Sequence, residues 1–147
     1  MNTSPPLAYR VKKAMIMRDP VALVEVLNDA LTVFKKIDFG EVPLDHDFFC
    51  IQLMLLFISA DVDTMSEVNL SLGSPDFVCK IGGQTWILEI KVNKNDKVPD
   101  EVLAKKTLKQ IVDRNYGGGF RNPILLGLVI NSKDWLIKAW ESLGGLS

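Results

Sequence analysis

Apolar residues recur at helical spacing in the first third of the chain and alternate with polar ones in the middle. Residues 9–17 predict a short helix. Asp19 and Pro20 open a second one, an aspartate N-cap followed by proline at the first helical position. Leu23, Val24, Leu27, Leu31 and Phe34 then recur on one helical face. Gly40 and Pro43 break the pattern. A further helix is predicted from Asp45 to about Ala60. It is apolar almost all round, which predicts a central helix buried on every side, with Phe48, Phe49 and Phe57 in the core and a binding groove as the alternative reading of these three.

Residues 64–70 alternate loosely and predict a strand. Gly73, Ser74 and Pro75 make a turn. Residues 76–81 and 84–92 predict two strands joined by a tight Gly82-Gly83 turn. A polar loop follows over 93–99, then a helix over 101–114 with Val102, Leu103, Leu108 and Ile111 apolar and several lysines outward. Tyr116 to Gly119 reads as a flexible connector. Residues 124–130 form a buried strand, 131–134 a turn, and 135–140 return as an edge strand, with a C-terminal helix as the competing assignment. The order implies an α/β fold, a mixed sheet with flanking helices. One domain accounts for residues 1–147, with a loose arm at 1–8, a helical lead-in at 9–60 and the sheet core at 64–141.

Composition narrows this picture. The chain has 147 residues, 48% of them apolar, which excludes intrinsic disorder. The longest near-continuous apolar stretch, 48–60, falls short of the roughly 20 residues of a membrane helix. The first residues show no secretion signal, so the expected location is the cytoplasm. Cys50 and Cys79 lie in apolar contexts with no metal-type spacing and read as buried free thiols. A formal net charge of −1 gives no global basic footprint. The basic clusters Arg10-Lys12-Lys13 and Lys105-Lys106-Lys109-Arg114 read as solvated helix faces.

Candidate chemistry concentrates in the hairpin. If Gly82 and Gly83 are the two turn residues, Ile81 faces Gln84 and Asp76 faces Glu89. Directly opposed positions bring Cβ atoms about 5 Å apart. Alternation puts Phe77, Cys79, Ile81, Trp86, Leu88, Ile90 and Val92 on one wholly apolar face. Asp76, Val78, Ile87, Glu89 and Lys91 share the other. Two opposed carboxylates repel. Protonation of one, neutralisation by Lys91, or a divalent cation between them would each relieve the repulsion. Cation, acid pair and lysine together suit phosphodiester hydrolysis. An ordinary surface Glu-Lys ladder is the plainer reading of the same pattern.

Pro75-Asp76 followed by Glu89-Ile90-Lys91 resembles the PD-(D/E)XK motif of the restriction-endonuclease-like nuclease superfamily. Ser66-Glu67 ahead of Gly73 and Asp76 resembles one branch, the nuclease domain that ends many bacterial AAA-ATPase-like proteins. Leu108-Lys109-Gln110-Ile111, with Tyr116 a few residues on, resembles the helix after that branch's lysine strand. The resemblance covers roughly residues 10–140. It implies a restriction-endonuclease-like αβββαβ core with an N-terminal helical lead-in. It implies Mg²⁺ or Mn²⁺ held by Asp76, Glu89 and the Ile90 carbonyl, with Lys91 positioning or activating a water. Gln110 and Glu67 would complete the catalytic set. Two positions depart from the branch. Ser74 stands where an arginine is usual. His46, flanked by Asp45 and Asp47, stands where a glutamate usually starts the buried helix. A histidine at a helix start otherwise reads as a capping or surface residue.

The resemblance implies a metal-dependent nuclease acting on DNA in preference to RNA. The alternative is a catalytically weak or inactive module of the same fold that binds nucleic acid or a protein partner. The apolar stretch Trp135 to Trp140 admits a third reading, an exposed edge strand that pairs with a second copy or another chain. Its plainer counterpart is that the tryptophans close the core.

Overall fold

The computed structural model describes residues 5–66 and 73–145. Three helices lead, α1 (Leu7–Ile16), α2 (Pro20–Lys35) and α3 (His46–Ser59), followed by strands β1 (Asp63–Ser66), β2 (Phe77–Ile81) and β3 (Gln84–Asn93). Helix α4 (Asp100–Asp113) then crosses to β4 (Ile124–Asn131), and β5 (Leu136–Leu143) closes the chain. This is the expected mixed α/β arrangement, with the αβββαβ order running from α3 to β4.

The helix starts follow from local chemistry. The Asp19 carboxylate accepts from the Ala22 N–H at 3.1 Å ahead of Pro20, and Asp45 accepts from the Phe48 N–H at 3.1 Å. Each satisfies an amide that has no partner within its helix.

The five strands lie in the order β1-β2-β3-β4-β5. Strands β1, β2 and β3 are antiparallel neighbours, β3 and β4 run parallel, and β5 returns antiparallel at the edge. A parallel pair needs a crossover, and α4 supplies it. The hairpin turns on Gly82 and Gly83, at φ 56° and 78°. Two successive positive φ values are what a type I′ turn requires, and glycine adopts them without strain. The turn fixes the register, pairing Ile81 with Gln84 and Phe77 with Leu88, as the sequence predicts.

One sheet face meets α1, α2 and α3 in the main core. Phe77, Cys79, Trp86, Leu88 and Ile90 pack there with Met15, Leu27, Phe49 and Phe57. The Trp86 indole N–H donates to the Met15 carbonyl at 3.0 Å, tying β3 to the end of α1. The other face meets α4 through Ile87, Ile111 and Tyr116. Gly127 on β4 lets α4 approach closely, since a Cβ there would sit 2.9 Å from the Leu108 backbone nitrogen.

Two expectations are corrected. Helix α3 is not buried on every side: Ile51, Leu55 and Ile58 are exposed while Phe49, Leu53 and Phe57 face the core. The helix is one layer on one sheet face, so only its inner side finds partners. The segment after α4 is not a free connector either. Tyr116 is fully buried, and a Cβ on Gly117 would lie 3.1 Å from Leu125.

The last strand is a strand, not a helix. It begins just after Trp135, whose φ of 54° marks the preceding turn. Trp135 packs edge-on against Phe48 and Phe49, and Trp140 also packs against the main core. A register shift between Val129 and Ile130 bulges the β4–β5 pairing. Beside it, the Asn28 side chain of α2 accepts from the Ile137 N–H at 2.7 Å and donates to the Ile137 carbonyl at 3.2 Å. Among the described residues no helix is long and apolar enough to cross a membrane.

Candidate metal centre

The hairpin delivers two carboxylates to one place. Asp76 immediately precedes β2, and extending the register from Phe77–Leu88 sets it opposite Glu89. Strand β3 continues past the end of β2 and pairs there with β4, where Glu89 lies beside Gly127. Flanked by β4 and roofed by α4, Glu89 is only 7% exposed. Its Oε2 atom is buried and has no hydrogen-bond partner among the described residues.

The two acids divide their charge unequally. Burial first, and then the adjacent Asp76 carboxylate, push Glu89 up to about 8. Burial also pushes Asp76 upward, but hydrogen bonds with His46, Glu89 and the Ile90 N–H outweigh it and hold its carboxyl below the usual range. The Ile90 N–H donates to Asp76 Oδ2 at 2.7 Å. Without a cation, Asp76 is therefore the anion and Glu89 the acid, so protonation relieves the repulsion foreseen from the sequence.

A third group comes from α3. His46 Nε2 lies 2.9 Å from Asp76 Oδ1, and its Nδ1 lies 3.3 Å from Asp47 Oδ1. Hydrogen bonding to Asp76 first, and to Cys50 second, raises His46 to about 11. The reading of His46 as a cap is thereby corrected, while its side chain remains partly exposed at the surface. Asp45 caps the helix, which frees His46 in the first turn to reach over the start of β2. Cys50, one turn further along, is half-buried with Sγ 3.5 Å from His46 Nε2. The expectation of a buried thiol holds for Cys79, which burial pushes up to about 12, and not for Cys50. The spacing of His46 and Cys50, four positions apart on one helix face, is the signal in the sequence that marks Cys50.

The remaining predicted residues fall around this cluster. Asp76, Glu89, Ile90 and Lys91 line one open groove of about 470 Å³, together with Asp45, His46, Val92 and Lys94. Lys91 is exposed on β3. Gln110 is half-buried on α4 and does not line this groove. Glu67 lies outside the described residues. Ser74, the position at which the resembled branch carries an arginine, follows Gly73. A Cβ on Gly73 would sit 3.7 Å from a guanidinium nitrogen of Arg114, which hydrogen bonds to the Tyr116 hydroxyl at 3.3 Å.

Comparison with protein-family models, with curated proteins and with solved structures returned no match.

The chain's own geometry therefore carries the functional reading. It brings together an oxygen-donor pair, Asp76 and Glu89, and a mixed-donor group, His46, Cys50 and Asp76. Lysines 91 and 94 border the first of these.

Proposed function

We propose that this chain is a metal-dependent phosphodiesterase that hydrolyses nucleic acid, with DNA as the preferred substrate. The observation that carries this reading is the meeting of Asp76 and Glu89 across the end of the hairpin, in a groove that Lys91 also lines. A buried acid with an unpartnered Oε2, set beside a half-buried one, is a poor way to stabilise a fold. It is a good way to prepare oxygen ligands for a hard cation. Mg²⁺ and Mn²⁺ take oxygen donors, and Asp76, Glu89 and the Ile90 carbonyl supply that chemistry.

A bound divalent cation would acidify a water and offset charge building on the attacked phosphate. The chain's own residues do the rest. The Ile90 N–H and His46 fix both oxygens of Asp76, so the carboxylate need not reorganise when substrate arrives. Glu89 would hold the cation as a carboxylate, its proton passing to solvent. Lys91 presents an ammonium to the groove, where it can orient the attacking water or a phosphate oxygen. Lys94 adds a second cation for the substrate backbone.

The test is cleavage of labelled plasmid DNA and of RNA by the purified chain, with and without Mn²⁺, beside Lys91→Ala and Asp76→Ala. Cation-dependent cleavage that falls by about 10²–10³-fold in both variants is expected. Equal cleavage by parent and variants, or none by the parent with Mn²⁺, overturns the reading.

A further inference from the structure

We propose that His46, Cys50 and Asp76 form a second metal site, one that takes a soft divalent ion, zinc by preference. It is distinct in donor chemistry from the all-oxygen pair Asp76 and Glu89, although the Asp76 carboxylate belongs to both. One ligand atom from each of the three residues lies within 4.8 Å of the other two. His46 Nε2 stands 2.9 Å from Asp76 Oδ1 and 3.5 Å from Cys50 Sγ. Tetrahedral zinc, with bonds of about 2.0–2.3 Å, places neighbouring ligand atoms about 3.3–3.6 Å apart. The His46–Asp76 contact needs only a slight spreading, while Cys50 Sγ, which also lies 3.9 Å from His46 Nδ1, stands beside the ring and must turn about its Cα–Cβ bond to reach the ion.

The backbone prepares this arrangement. His46 and Cys50 are four apart in the first turns of α3, so imidazole and thiol project from the same side. Asp76 arrives from the start of β2, where the Ile90 N–H holds Oδ2 and leaves Oδ1 facing the helix. Behind the imidazole, Asp47 Oδ1 lies 3.3 Å from Nδ1. A carboxylate at that nitrogen is the usual device that orients a metal-bound histidine and strengthens it as a ligand. The three donors also line a groove of about 250 Å³ that opens beside Met54 and Ser66, which leaves a fourth position for water.

Donor type decides which ion fits. A thiolate and an imidazole favour zinc and its tetrahedral relatives over Mg²⁺, which binds oxygen and retains its waters. The incoming ion replaces two hydrogens, the one bridging Nε2 to Asp76 and the one on the Cys50 sulfur, and both leave as protons to solvent.

The experiment uses the full chain, stripped with chelator and titrated with Co²⁺ as a spectroscopic stand-in for zinc. One equivalent should give a thiolate-to-cobalt charge-transfer band in the near ultraviolet, with the strong visible bands of four-coordinate cobalt. Added Zn²⁺ should bleach both. Cys50→Ser should lose the charge-transfer band, and His46→Gln should weaken cobalt binding by at least about tenfold. Lys91→Ala should keep the parent spectrum, and circular dichroism checks that each variant is folded. A parent complex without a thiolate band, a band that survives in Cys50→Ser, or undiminished affinity in His46→Gln overturns the proposal. None of these readouts depends on cleavage, so the site and the phosphodiesterase reading stand or fall separately.

Discussion

His46 Nε2 lies 2.9 Å from Asp76 Oδ1, while the other oxygen of that carboxylate accepts from the Ile90 N–H at 2.7 Å. One acid is thus gripped from a helix on one side and a strand on the other. The Ile90 contact belongs to the β2–β3 hairpin, whereas the His46 contact is long-range and depends on α3 lying over the start of β2.

The His46 contact has a pH signature. Hydrogen bonding to Asp76 raises the imidazole from 6.5 to about 11. A histidine raised in the folded state stabilises fully below its ordinary value and loses that contribution as pH climbs through the folded one. His46→Ala should therefore cost about 1 kcal/mol at mildly acid pH, given a partly exposed pair, and progressively less on the alkaline side. Chemical denaturation of the metal-free protein at several pH values checks this. A pH-independent cost would show that the imidazolium adds nothing.

Glu89 gives a second dependence. Burial, with Asp76 next to it, lifts its carboxyl from 4.5 to about 8. The folded state then holds a proton that the unfolded chain releases. Stability from this group is complete below 4.5 and is lost as pH rises through about 8. Metal-free Glu89→Gln, which keeps a neutral side chain of similar shape, should show a flatter melting profile across that window. It should also lose Mn²⁺-dependent cleavage. A slope identical to that of the parent would mean Glu89 is ionised throughout.

Gly127 tests the packing that buries Glu89. A methyl at this position would sit 2.9 Å from the Leu108 backbone nitrogen and 3.1 Å from Thr107 Cγ2. Backbone cannot swing aside as a side-chain tip does, so Gly127→Ala should push α4 off the sheet. The expected loss is about 1–3 kcal/mol, read as a lower urea midpoint. An unchanged midpoint would show that α4 yields freely.

Much of this arrangement is legible in the sequence because the hairpin is a local object. Two glycines permit one turn type, the turn sets the register, and the register alone sets Asp76 opposite Glu89. Asp19, Asp45 and Pro20 likewise announce their helix starts. What escapes is long-range. The hydropathy of α3 reports its own residues and not the number of layers around it, so the exposed Ile51, Leu55 and Ile58 read as core. The spacing of His46 and Cys50 is readable as one helix face. That Asp76 completes the group follows only from the helix folding across the hairpin. Tyr116 looks like part of a glycine-rich connector because the cavity it fills is built from β3 and α4.

The amide of Asn28 has a bearing on the outermost strand. Its hold on both polar groups of Ile137, at 2.7 and 3.2 Å, takes up a rung that an added strand would need for its own ladder. The bulge next to it throws the flanking residues out of step. A newcomer pairing at that rung would have to break an existing interaction first. In this way a single asparagine, reaching over from a helix, makes that stretch of the border harder to extend.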